Sequence, residues 1–482
     1  MTSLVQFIKD EVVVSAGDAI RFCVETQKIS EENARKRIER LPEEIGRIKG
    51  ICRDRQSILY DREKWHTEQY FEKLVDVLEV NAIQYYSIIR ALHLHYGSVP
   101  KEVLASYSIS PVVEIKNHKL FKTVIDGLIG LDLVQIEDEQ YRIAGGDVVV
   151  ESRTRAIRTV HRIVIQQFHE WGRNIGLYSY DAARFDTAFS GYQFCLVAPS
   201  YLKSLTGKSS KDGTIIPAFV VADVLLNRDI SKEDVEFFVR KIQNISMQKQ
   251  HAKFIPFMIV GSHNAEVYQL LKLNGIVVGN IDELFGSKYS ETIYGIFNLM
   301  NNAGAILKNN PDQYLRLLSE IERLASGKTY NLKGDLFEMA VGYYHGQLCK
   351  SIDISKKITF EGVSKEIDVY AVYQDKVVFA ECKGYNSPVG DDYIDKWLSE
   401  KIPYFRKWAL QSDSLIDKRI VFEIWCTGGY TESSIKKLEN AKNNTKKYSL
   451  EYYDIPKMMD VARNKKVPHF REIITKYYMN DL

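Results

Sequence analysis

Glu381 and Lys383 close an apolar, β-branched run, KVVFAECKG, and Asp368 lies thirteen residues before Glu381 in a second such run, EIDVYAVY. Successive side chains of a strand point to opposite faces, so Phe379, Glu381 and Lys383 share one face and Cys382 takes the other. Gln374-Asp375 form a polar break between the runs, which predicts a hairpin that brings Asp368 opposite the Glu381–Lys383 pair. Three charges in a sheet are costly unless they pair or bind an ion. Two carboxylates can hold Mg²⁺ or Mn²⁺, hard cations that take oxygen ligands and keep waters for exchange. Such a cation polarises a scissile phosphate and lowers the pKa of a bound water. Lys383 beside it can orient that water or offset the charge growing on the phosphoryl oxygens. The chemistry suited to these residues is metal-dependent hydrolysis of a phosphodiester. The competing reading is a surface ion pair on an edge strand, which Glu381 and Lys383 alone would favour.

Asp368 followed by Glu381-Cys382-Lys383 resembles the signature of the PD-(D/E)xK, restriction-endonuclease-like nuclease superfamily. Asp368 matches the motif aspartate, Glu381 the second acid and Lys383 the lysine. In that superfamily a helix before the hairpin often carries another metal-associated glutamate, and Glu338 in KGDLFEMAVGYY matches that position. The segments DDYIDKWLSEKIPYFRKWAL, RIVFEIWCTGG and TESSIKKLENAKN continue the family's helix, strand, helix order. The resemblance covers about a third of the chain and departs at Ile367, where the family has proline. It implies Asp368, Glu381, Lys383 and Glu338 as catalytic residues, with Asp368, Glu381 and Glu338 holding Mg²⁺ or Mn²⁺. It also implies an endonuclease acting on DNA, similar to prokaryotic restriction or anti-phage effectors. Many nucleases of this fold pair two copies because one site cuts one strand, so a homo-oligomer fits the resemblance. The alternative is a non-catalytic DNA-binding regulator or assembly subunit that keeps a nuclease-like fold as a platform; Lys383 favours the enzyme.

These residues need a scaffold, and 482 residues are too many for one ordinary core. A composition 45% hydrophobic and 27% charged is that of a globular protein with a large core. No apolar run is long enough to span a bilayer, and the opening MTSLVQFIKDEVVV lacks the order of a signal peptide, so a cytoplasmic protein without membrane contact is expected. The six cysteines form no CxxC pair, which favours small buried residues over a zinc site or disulfides. With a net charge of +2, any nucleic-acid surface must be a local patch.

Five blocks are expected, giving a multidomain α/β (α+β) chain. Residues 1–65 run helix, polar helix, hairpin, the order of a winged helix; Arg35, Lys36, Arg37 and Arg40 would contact phosphates, with Arg53 and Arg55 on the wing. Interleaved acids make a solvated helix face an equal reading there. Residues 66–148 repeat that order with an acidic wing, QIEDEQ, which suits a protein partner or activator better than DNA. His93 and His95 point different ways on a helix and read as ordinary histidines.

Residues 149–290 hold a long connector helix and an α/β domain that resembles a disabled, restriction-endonuclease-like copy of the Mrr sort, or equally a generic α/β domain. In that copy Asp223 would stand at the acid, Leu225 at the lysine and Asp186 at the other acid. Its GKS triplet at 207–209 lacks the glycine a P-loop needs. A helical linker at 291–328 then leads into the nuclease-like domain at 329–482. Lys396, Lys401, Arg406, Lys407, Lys436, Lys437, Lys446 and Lys447 cluster after the candidate site, with Trp397, Tyr404, Phe405 and Trp408 interleaved. Lys396, Arg406 and Lys407 are the candidates for tracking a nucleic-acid backbone; for the aromatics a core role is the commoner reading.

Overall fold

The computed structural model describes residues 3–52, 56–144, 149, 151–179, 181–208, 212–324 and 333–479. Arg53 and Arg55 lie outside them. The chain divides into two compact units, Met1–Ser290 and Glu291–Leu482, each a mixture of helices and sheet. The described part of the expected helical linker, 291–324, belongs to the second unit. Among the described residues no helix is long and apolar enough to cross a membrane.

The first unit opens with helix Leu4–Glu11, strand Val13–Ser15, helices Ala16–Gln27 and Glu31–Glu39, and strands Ile45–Ile48 and Ile58–Asp61. Ser3, Ser15 and Ser30 start the three helices, each hydroxyl accepting a backbone N–H from the first turn. Ala34 and Ile38 turn one face of Glu31–Glu39 into a small core with Ile8, Ala19, Cys23 and Leu59. The charged face points outward, where Glu31 pairs with Arg35 at 2.5 Å and Glu32 with Lys36 at 2.6 Å, while Arg37 donates to Gln27 at 2.8 Å. Such i,i+4 pairs add only ~0.2–0.5 kcal/mol each and leave the cations in solvent.

A second group follows: helices Glu68–Asn81, Ile83–Leu94 and Phe121–Ile129, with Gln140–Ile143 central between Ser98–Pro100 and Val134–Glu137. His95 is buried, its Nδ1 2.7 Å from the Ala91 carbonyl.

Each unit then builds a five-stranded sheet, and the two sheets share one topology. In the first unit the spatial order is Arg184–Phe189, Tyr192–Ser200, Ala218–Leu225, Phe254–Val260, Val277–Asn280. In the second it is Ser351–Phe360, Val363–Val372, Lys376–Lys383, Arg419–Cys426, Ser449–Tyr453. In both, strands one to three are antiparallel neighbours and strands three to five are parallel. Parallel neighbours require crossovers, and helices supply them. Lys232–Ser246 and Ala265–Leu273 do so in the first unit; in the second, the helical run from Asp391 to Leu410 and then Glu432–Asn444. A long helix precedes each sheet, Glu151–Asn174 and Lys333–Gly346.

The third strand lies mid-sheet and reads as a nearly continuous apolar run in both copies, AFVVADVL and KVVFAECK, as a strand buried on both faces must. Aligning these two eight-residue strands sets Asp223 beside Glu381 and Leu225 beside Lys383. In the second unit Phe379, Phe422, Ile424, Ile394, Trp397 and Phe405 fill the layer between sheet and helices. Glu381, on the face of Phe379, therefore points toward the helical run that begins at Asp391.

Candidate active site

The ladder between strands two and three of the second unit runs from Val372↔Val377 to Val369↔Ala380. Asp368 and Glu381 are the next residues in that register, where pairing stops and the strands open. The polar break at Gln374-Asp375 and the period of two thus set the carboxylates side by side. On its other edge strand two pairs Val369 with Ile354 and Ile367 with Lys356, but skips Ser355 opposite Asp368. Ser355 has φ 52°, a left-handed conformation that costs a non-glycine residue on the order of 1 kcal/mol. Its hydroxyl donates to Glu338 Oε2 at 3.2 Å.

Asp368 Oδ2 accepts the Cys382 N–H at 2.7 Å. Lys383 Nζ lies 3.0 Å from Glu381 Oε1 and 3.9 Å from Asp368 Oδ2. Two further residues complete the site. Lys401 Nζ donates to both oxygens of the fully buried Glu381, at 2.8 Å each, and the Tyr393 hydroxyl donates to Glu381 Oε1. Lys383 also sits over the Tyr393 ring, 4.9 Å from its centre.

A regular α-helix would not put residues 393 and 401 on one face, because eight residues overshoot two turns by about 80°. The turn Trp397–Lys401 is π-helical. Its extra residue makes eight positions span what seven would, which returns Lys401 to the face of Tyr393. Pro403 follows at the start of Ile402–Leu410 and cannot donate to a carbonyl one turn back, a local cause of the widened turn.

The three strand-borne groups differ in protonation. Burial first, then the Glu381 and Glu338 carboxylates, push Asp368 up to about 8 against the pull of Lys383 and Lys401. Burial also acts to raise Glu381, but the Lys383 and Lys401 ammoniums outweigh it and hold Glu381 below the usual carboxylate range. For Lys383, burial favours the neutral amine, yet Asp368 and Glu381 outweigh it and keep its pKa above the ordinary lysine value. Lys383 is therefore a fixed cation and donor, and Asp368 the carboxyl most ready to exchange its proton for another cation.

This donor set fits Mg²⁺ or Mn²⁺. Burial and then the neighbouring carboxylates keep Asp368 protonated; a divalent cation between carboxylates would offset both, and Mg²⁺ is commonly held by one or two carboxylates plus waters. Among the described residues no group of three or more His, Cys, Asp or Glu side chains is placed to hold a metal ion. Asp368 and Glu381 are the strand-borne pair, and Glu338, expected as a third ligand, lies near enough for its charge to act on Asp368 and accepts from Ser355, the residue opposite Asp368.

Lys396 and Lys407 are exposed and Arg406 half-buried on the helical run beyond the site. Trp397 and Phe405 are core residues, so they cannot stack on bases.

The first unit carries a matching but closed constellation. Asp223 accepts from Lys241 Nζ, on the helix after strand three, just as Glu381 accepts from Lys401. Leu225 stands where Lys383 does. The register places Cys195, not Asp186, opposite Asp223, since Ala222 pairs with Leu196; the Cys195 N–H donates to Asp223 Oδ1 at 2.8 Å. Asp186, expected as the second acid, instead matches Ser355: it is skipped between Phe185↔Leu196 and Thr187↔Phe194 and has φ 45°. An ammonium is present after all, supplied by a helix rather than by the strand. Asp223 and Lys241 are both fully buried, and Lys241 also donates to the Ser106 and Gln193 carbonyls at 2.7 and 2.8 Å.

No protein-family model, curated protein or solved structure matches the chain.

Proposed function

We propose that the second unit is a divalent-metal-dependent DNA endonuclease of the PD-(D/E)xK kind, and that the chain serves as a prokaryotic restriction or anti-phage effector. The observation that carries this reading is the convergence of Asp368, Glu381 and Lys383 at the opened end of the central hairpin, with Lys383 Nζ within 4 Å of both acids. Asp368 and Glu381 would hold Mg²⁺ or Mn²⁺, which when bound supplies Lewis acidity to a phosphoryl oxygen and a more acidic water. Lys383, held protonated, would donate to a phosphate oxygen and stabilise its charge in cleavage. Tyr393 and Lys401 fix the Glu381 carboxylate. The exposed cations Lys396 and Lys407 would contact the backbone beyond the scissile bond, and Arg35, Lys36, Arg37 and Arg40 would contact phosphates or a partner.

A second reading, a non-catalytic DNA-binding platform, is favoured by one observation: Glu381 is fully buried and already bonded by two ammoniums and a hydroxyl. Incubating the full chain with supercoiled and linear duplex DNA in Mg²⁺, Mn²⁺ or EDTA, beside Asp368→Ala and Lys383→Ala, separates the two. Cleavage lost with EDTA and in both variants is the expected result. Equal DNA binding by all three proteins with no cleavage in either metal would transfer the assignment to the platform.

A further inference from the structure

We propose that Lys401 is a positioning residue that occupies Glu381 in place of the divalent cation and must release at least one of its oxygens when the cation binds. The inference rests on the metal-dependent reading of the Asp368–Glu381 pair. Its ammonium lies 2.8 Å from both carboxylate oxygens, a two-point grip on the lone pairs that a metal would share. Lys383 contacts only Oε1 and Tyr393 the same atom, so Oε2 is held by Lys401 alone among the described residues. The Lys401 side chain is 31% exposed, and among those residues its ammonium bonds no group besides Glu381. It can therefore swing toward solvent without leaving another partner bare. The π-helical turn that brings it onto the face of Tyr393 would have no such consequence in a regular helix.

The first unit shows the permanent form of the same device. Lys241 occupies the same place relative to its sheet, grips Asp223, and is fully buried with its other donors spent on the Ser106 and Gln193 carbonyls. That pair has no exit, and Cys195 stands where Asp368 does. The second unit keeps the helix-borne lysine, exposes it, and adds Asp368 and Lys383. A counter-ion that is structural in one copy becomes displaceable in the other.

A displaceable cation competes with metal, which fixes the direction of two substitutions. Lys401→Gln removes the like charge, and Mn²⁺ should bind roughly tenfold tighter. Lys401→Arg substitutes a planar fork that grips a carboxylate at two points more firmly than an ammonium, so Mn²⁺ should bind several-fold more weakly. A merely structural lysine would move neither affinity in opposite senses.

The experiment measures Mn²⁺ binding to the full chain by the paramagnetic resonance signal of free Mn²⁺, with wild type, Lys401→Gln, Lys401→Arg and Asp368→Ala in parallel and thermal melts confirming folding. The order Gln tighter than wild type, wild type tighter than Arg, with Asp368→Ala weakest, is the expected result. Unchanged affinity in both Lys401 variants, with binding lost in Asp368→Ala, would overturn the role of Lys401 and leave the metal site standing. Absence of Mn²⁺ binding in all four proteins would overturn both. Should Lys401→Gln not fold, the arginine variant decides: affinity equal to or above wild type refutes the competition.

Discussion

Lys241→Met in the first unit tests whether the closed constellation is a desolvated ion pair. Methionine keeps most of the lysine stem and its packing against Phe194, Phe237 and Phe238, so the apolar surroundings stay nearly intact. What disappears is the neutralisation of Asp223, left fully buried with Cys195 as its partner, through the N–H at 2.8 Å and the thiol. Removing one partner of a buried pair costs about 3–5 kcal/mol. The Ser106 and Gln193 carbonyls lose their donor and add to this by about 1 kcal/mol each. Protonation offsets part of the sum, because burial already raises the Asp223 pKa and the loss of Lys241 removes what opposed that rise. A net loss of about 3–5 kcal/mol is expected.

Urea unfolding of the full chain, followed by far-ultraviolet dichroism and tryptophan fluorescence, measures it; Trp65 and Trp171 report on the first unit. The double variant Asp223→Leu with Lys241→Met removes both charges and should recover at least about 2 kcal/mol of the loss. A single variant within about 1 kcal/mol of wild type, or a double variant no better than the single, would refute the buried pair.

Asp368→Asn probes the second unit through pH. Because Asp368 is pushed up to about 8, the unfolded chain releases this proton from about pH 4 while the folded chain keeps it. Metal-free stability therefore falls between about pH 4 and 8, by at most about 1.4 kcal/mol per pH unit from this group. In EDTA the asparagine variant should match wild type near pH 4 and exceed it at pH 8; equal pH dependence would exclude Asp368 as the source. Tyr393→Phe removes one hydroxyl from Glu381 but leaves both ammoniums, so DNA cleavage should slow by about three- to tenfold without loss of stability beyond about 1 kcal/mol; a hundredfold loss would give Tyr393 a direct role. Lys396→Ala with Lys407→Ala should weaken duplex binding and lower the slope of log affinity against log salt by about one unit for each phosphate no longer neutralised. Phe405→Ala should instead cost about 3–5 kcal/mol of stability and leave that slope alone, which separates backbone binding from core packing.

The strand-borne part of the site was legible because two local rules determine it. Alternation puts Glu381 and Lys383 on one face, and a polar break of fixed length sets the register that brings Asp368 alongside. Tyr393 and Lys401 were not legible as a pair, since their eight-residue spacing belongs to no regular helical face. Pro403 was the only mark of the widened turn. Lys241 left a clearer trace: it follows Phe237 and Phe238 by four and three residues, so it lies on the buried face of Lys232–Ser246. Read alone, a lysine in an amphipathic helix passes for a solvated charge. Asp186 was misplaced for another reason. Strands two and three are separated by three residues in the second unit but by seventeen in the first, where Gly207–Lys208 and Ile215–Ile216 form a ribbon of their own. Counting along the sequence fails across such an insertion, whereas the sheet register finds Cys195.

The two copies differ at the strand positions Cys195/Asp368, Leu225/Lys383 and Asp186/Ser355, and in the exposure of the helix-borne lysine. Asp223 and Lys241 balance one charge against one, with every donor used and no solvent contact; such a pair can only specify packing. Adding a second acid at the Cys195 position and a second ammonium at the Leu225 position yields Asp368 and Lys383. Charge is still nominally balanced, but burial and then the Glu381 and Glu338 carboxylates leave Asp368 holding its proton. On the proposed reading, Asp368 and Glu381 would hold a divalent cation once the Asp368 proton and the Lys401 ammonium had left, and Lys383, held charged by both acids, would remain for a phosphate. The second unit therefore differs from its sibling by a strand-borne ammonium, by an acid facing Glu381 in the register, and by a helix-borne lysine that reaches solvent.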